Sequence, residues 1–145
     1  MIRIDDVRAR IEGKVPALAG QIGNAGEFSK LIEAGQMQAA RKAYVLPGAL
    51  AGGARQAISG MFTQAIEETV LVVLSVRVAS DPTGARALDE ISPLVRDTVR
   101  AVCGWGPEDA PGVFALARGE LVGAAQGMLI YQLDFTLDDQ LRITP

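Results

Sequence analysis

The sequence predicts one soluble α/β domain, and three stretches carry that prediction. Thr69 to Ala79 (TVLVVLSVRVA) is a β-branched run without Gly or Pro, the composition of a strand. Leu88, Ile91, Leu94, Val95, Val99 and Val102 recur at helical spacing and make the stripe of an amphipathic helix. Leu129, Tyr131, Leu133, Phe135 and Leu137 alternate with Ile130, Gln132, Asp134 and Thr136, a strand with one apolar and one mostly wet face.

Taken in order, the chain opens on a helix that Asp5 or Asp6 can cap, with Ile4, Val7, Ile11 and Val15 inward and Pro16 at its end. Ala17 to Gly26 is weakly specified. Glu27 to Ala34 reads as a short helix with Phe28, Leu31 and Ile32 inward and Gly35 closing it. Arg41 to Leu46 reads as a first strand, and the Gly- and Ala-rich Pro47 to Arg55 as a flexible loop or arm. Gln56 to Glu68 extends the central strand backward, with Gly60 at a bulge. On that strand Val70, Val72, Leu74, Val76 and Val78 share one face, while Leu71 and Val73 begin the other. Cover on both faces implies a central position or a contact with another subunit.

Asp81-Pro82-Thr83-Gly84 is a turn, and the helix that follows runs from Ala85 through Pro93 with a kink, because Leu88 and Ile91 already belong to its stripe. It ends at Cys103-Gly104, where Gly104 suits a left-handed cap and Pro107 prevents continuation. Val113 to Arg118 and Leu121 to Val122 flank Gly119-Glu120 as a hairpin, and Asp138 to Pro145 is a polar tail. No internal repeat or linker interrupts residues 1–145, which are expected to form a single domain.

Composition narrows the function classes. A net charge of −3 and a pI near 4.9, with scattered Lys and Arg, argue against sequence-reading of DNA. No apolar run approaches the roughly 20 residues of a membrane helix, and no leader is expected at Ile2 to Asp6. The single Cys, Cys103, precludes an internal disulfide and suggests an intracellular origin. The chain has no His, the commonest general base and metal ligand.

The remaining candidates for chemistry have simpler readings. Asp134, Asp138 and Asp139 match no cation loop and read as solvated acids. Asp81 reads as a turn residue, Trp105 as a plug at the end of the core, and Arg96 and Arg100 as a solvated face. The run from Gly48 to Arg55 lacks the Lys-Ser/Thr of a phosphate loop. Cys103 sits at a helix C-terminus, where the dipole disfavours a thiolate. Neither a catalytic nor a metal or cofactor set emerges.

Three segments in order, Ala43-Tyr-Val-Leu-Pro47, Gln64 to Asp81 running into Gly84, and Ala101-Val-Cys-Gly-Trp-Gly-Pro107, precede a hairpin and a strand containing Gly127-Met-Leu-Ile-Tyr131. This layout, from about Ile4 to Leu137, resembles the tail-terminator (tail-completion) proteins of long-tailed bacteriophages. The resemblance implies a small α/β (α+β) domain, a mostly antiparallel sheet with helices packed on one face. It implies a homo-hexameric ring that caps the tail tube, ends its polymerisation and joins the head connector, with DNA passing through unbound. Its partners would be the tube protein and the head-tail connector protein. It would reside in the virion tail, and in host cytoplasm during assembly, as a structural protein and not an enzyme. Arg55, Ile58, Met61, Phe62 and Arg77 are the expected contacts with neighbouring subunits or the tube, because Met61 and Phe62 look exposed beside a Gly-rich run. The alternative is a small homodimeric ligand-binding or regulatory domain, which a closed apolar pocket behind Trp105 would favour.

Overall fold

A computed structural model of the protein describes residues 2–34, 40–79, 81, 83–125 and 127–144. Its elements are α1 (Ile4–Lys14), a 3-10 turn (Pro16–Leu18), β1 (Ile22–Gly23), α2 (Ala25–Ala34), β2 (Arg41–Ile58), β3 (Met61–Arg77), α3 (Ala85–Val102), β4 (Ala115–Ala125) and β5 (Met128–Ile143). The strands form one sheet in the order β1-β2-β3-β5-β4, in which only the short β1–β2 pair is parallel. Among the described residues this is the expected α/β (α+β) domain with a mostly antiparallel sheet.

β3 is central because its composition suits cover on both sides. Val70, Val72, Leu74 and Val76 are buried with Leu133, Phe135 and Leu137 of β5, under Val7 and Ile11 of α1 and Ile91, Leu94 and Val102 of α3. On the other face Val73 is buried with Tyr44 and Ile130 beneath Leu31 of α2, and Phe28 lies 5.3 Å from the Tyr44 ring. The second cover of the central strand thus comes from the chain's own α2. The layer expected on one face is α1 and α3, and α2 adds a smaller patch on the opposite face.

Several local expectations change. The residues expected as a loop, 47–55, lie inside β2, and those expected as a polar tail, from Asp138 to Ile143, lie inside β5. Gly48 serves close approach and not freedom: a Cβ there would stand 2.7 Å from the Thr69 carbonyl oxygen. Gly60 is not at a bulge but in the turn that pairs Ile58 with Met61, and its φ of 79° is one that glycine adopts without cost. The bulges fall earlier, between Pro47 and Leu50 and between Gly52 and Arg55, where β2 carries one extra residue each time. Gly119 and Glu120 lie within β4, whose register shifts on either side, and the reversal into β5 uses Gly127 at φ 76°.

The helices also shift in phase. Asp5 and Asp6 stand in the first turn of α1, whose cap position is Arg3. Ile32 and Leu88, expected inward, are 59% and 57% exposed, because Leu31 on α2 and Ala87, Ile91 and Thr98 on α3 take the inner positions. α3 does run from Ala85 through Pro93, and Gly104 follows it at φ 77°. Gly35 and Pro82 lie outside the described residues. Asp81 does more than turn the chain: its buried carboxylate accepts the Ala87 N–H at 2.9 Å and satisfies a donor in the first turn of α3.

These burials set stabilities that urea unfolding can measure. Leu74→Ala is expected to cost about 2–5 kcal/mol, whereas Leu88→Ala stays within about 0.5 kcal/mol. The Thr98 hydroxyl is fully buried and has no partner among the described residues, so Thr98→Val should stabilise the fold by about 1 kcal/mol.

Candidate functional site

The three long strands outrun the helices. Past Leu46 on β2, before Ile66 on β3 and past Leu137 on β5, no described residue is buried. They remain paired all the way, Ile58 with Met61 and Phe62 with Ile143, and so form a three-stranded arm. Ile58 and Met61, 68% and 49% exposed, are cross-strand partners on the face away from α1 and α3. Phe62 lies on the helix-side face with Ala57 and Ile143 opposite it, and it is half-buried, not exposed as its position beside Met61 suggested. No charged residue occurs from Gln56 to Ile66. Arg55 stands opposite Gln64 at the inner boundary of that neutral tip. Arg77 stands apart, at the other end of β3, roughly 50 Å away at the usual rise per strand residue. The structure therefore brings together four of the five expected contact residues.

The root of the arm is tied to the N-terminus. Both carboxylate oxygens of buried Glu68 accept backbone hydrogen bonds, from Ile2 N–H at 2.8 Å and Arg3 N–H at 2.6 Å. Ile2 presents its N–H from a left-handed φ of 55°, a conformation that β-branched residues rarely take. The buried Arg3 guanidinium donates to Asp109 at 2.6 Å and to Asp139 at 3.2 Å. Burial alone would lower the pKa of Arg3, but the hydrogen bonds to the two carboxylates outweigh it and raise the value. The hydrogen bond from Arg3 in turn holds the exposed Asp109 carboxyl below its ordinary range. This node joins α1, β3, β5 and the segment before β4. One signal in the sequence could have found it: Glu68 is in phase with Val70, Val72 and Leu74, so an acid stood on a buried face and required a partner.

The node also accounts for one of the three acids weighed as a cation site. Asp139 faces Arg3, whereas Asp134 and Asp138 point to the opposite side of β5, and Asp134 accepts from Gln132 at 2.9 Å. The three do not converge, and the described residues contain no group of three or more potential metal ligands.

At the far end of the sheet, α3 covers β3 and β5 but leaves the adjoining face of β4 open. A groove of about 610 Å³ results, walled by Leu88, Ile91 and Val95 on one side and by Leu121, Ala124 and Tyr131 on the other. Three polar side chains at it are already engaged: Asp81 with Ala87 N–H, Ser92 with the Leu88 carbonyl, and Thr83 with Ala85 N–H. Trp105 stacks on buried Phe114 with ring centroids 5.7 Å apart, and the Arg10 guanidinium carbon lies 5.2 Å from the centre of the Trp105 ring. The cleft beside it is open and mixes Ala9 and Pro107 with the charged Asp6, Arg10, Glu108 and Asp109, and so differs from a closed apolar pocket.

The sequence profile of the family described as "Phage tail terminator protein" matches residues 2–145, essentially the whole described fold. The chain belongs to this family. No curated protein sequence matches it. Membership assigns this tail terminator homologue to the structural proteins of phage tail assembly and to the tail of the virion. None of the helices among the described residues is long and apolar enough to cross a membrane.

The root node carries a pH signature. Because the Asp109 pKa is lowered in the folded chain, its contribution is present above the ordinary carboxylate value near 4 and is lost as pH falls through the depressed one. A carboxyl NMR titration should find Asp109 ionising below the ordinary range in the wild-type protein and within it in Arg3→Met. Glu68→Ala, which strands two backbone donors, should cost about 2–4 kcal/mol in urea unfolding.

Proposed function

We propose that the chain closes into a homo-hexameric ring that caps the finished tail tube, stops its polymerisation and presents the surface that joins the head connector. The observation that carries this reading is the three-stranded arm, whose outer part has no buried residue among those described and bears Ile58 and Met61 on a hairpin without charge from Gln56 to Ile66. Apolar side chains exposed together on a regular, paired framework favour a contact with another protein. The partners are copies of the chain, the tail tube protein and the head-tail connector protein. The genome passes through the ring without specific binding, and assembly takes place in the host cytoplasm. The action is steric and interfacial.

Residues Arg55, Ile58, Met61 and Phe62 act in this reading as contacts with subunits or tube, and Arg77, far from the tip, serves a different neighbour. Light scattering across a concentration series, with negative-stain images of the same sample, should find a six-membered ring with an open centre. A dimer that persists on concentration would instead favour the ligand-binding alternative. In a phage carrying Ile58→Ser with Met61→Ser, tails should be overlong and free of heads. Tails of normal length joined to heads would reject a role for the tip in capping.

A further inference from the structure

The neutral hairpin tip and the apolar groove are two unpartnered surfaces of one chain. We infer that Ile58 and Met61 of one copy seat in the groove between α3 and β4 of the next copy, so that each subunit offers a tip on one side and a receptor on the other. The inference deepens the ring reading above and rests on it for closure.

Four observations carry it. The hairpin of the tip has no charged residue from Gln56 to Ile66, and the nearest charge on the third strand is Arg142, opposite Thr63, so seating Ile58 and Met61 themselves buries no ion. The groove is walled by Leu88, Ile91, Val95, Leu121, Ala124 and Tyr131, and Asp81, Thr83 and Ser92 beside them are already bonded within the chain, so that an apolar side chain can seat there. The tip lies at the start of β3 and the groove beside the end of β3, roughly 50 Å apart along a paired strand, so a chain cannot fill its own groove. Finally, the two exposed edges, the outer part of β2 and the whole of β4, each carry two register shifts. Such bulges blunt strand-to-strand pairing between copies, and they leave a side-chain contact as the way to join them. A tip-to-groove contact is heterologous, and a heterologous contact either closes into a ring or runs on as a filament.

Because one contact uses two different surfaces, two single variants test it when mixed. Ile58→Glu spoils the tip and keeps the groove; Leu88→Glu spoils the groove and keeps the tip. Both positions are exposed, so melting temperatures should match the wild type. Each variant alone should self-associate more weakly by roughly a hundredfold or more, since a carboxylate would enter an apolar contact. Mixed in equal amounts they should form a one-to-one dimer and nothing larger, because only one good tip meets one good groove. Rings formed by Leu88→Glu as readily as by wild type would overturn the tip-to-groove contact and leave the ring reading intact. Should the wild type stay monomeric in solution, Ile58→Cys with Leu88→Cys in a Cys103→Ala background is oxidised on assembled tails. Cross-linked multimers there support the contact; their absence beside a cross-linkable ring elsewhere on its surface overturns it. Tails on which the protein is present only as single copies would reject the ring reading itself.

Discussion

The architecture depends on a mismatch of lengths. β2, β3 and β5 have 18, 17 and 16 residues, and α3 has 18. A strand rises about 3.3 Å per residue and a helix only 1.5 Å, so α3 spans roughly half of the sheet on which it lies. One helix layer of this kind can bury Val70, Val72, Leu74 and Val76 but cannot reach Phe62 or Ile58. The uncovered length becomes the arm. The same economy leaves β4 exposed beside α3 and creates the groove.

An uncovered three-stranded arm needs its root held, and the Arg3 node does that. Glu68 is in phase with the valines and, with Ile66, is one of the last buried residues toward the tip, and its two oxygens receive consecutive backbone donors. The strained backbone at Ile2 is offset by those two bonds. Arg3 then spans to Asp139 on β5 and to Asp109 ahead of β4, so the N-terminus, the arm and the segment around Trp105 share one set of ion pairs. The pair with exposed Asp109 is screened by water and contributes little by itself. The buried carboxylate is the member whose loss would be felt.

Membership in the tail terminator family places the chain among the structural proteins of phage tail assembly. In the capping role proposed above, a subunit would need surfaces that bind a neighbour once and do not template further strands. Exposed edges with bulges, an apolar hairpin tip and a largely apolar groove suit that proposed role. On the outward face of the arm, Glu67 stands directly opposite Asp138, a like-charged pair that costs the free chain some pairing energy.

The sequence by itself determined the layers: the two-faced strand at Thr69, the stripe ending at Val102 with Gly104 past it, and the alternation from Leu129 to Leu137 were legible because period and composition are local. It also carried the family resemblance and the neutral run that became the tip. Tertiary structure decided what Gly-rich residues do. Gly48, Gly52 and Gly53 sit in a paired strand because neighbouring backbone and side chains press on them from β3, information absent from the local pattern. It also decided phase at the margins, turning Leu88 and Ile32 outward where a one-residue rotation of a helix moves a side chain from core to solvent. Of the Arg3 node, spacing offered only Glu68 on a buried face, and of the groove nothing, since Arg3 meets Glu68, Asp109 and Asp139 only after the sheet has assembled.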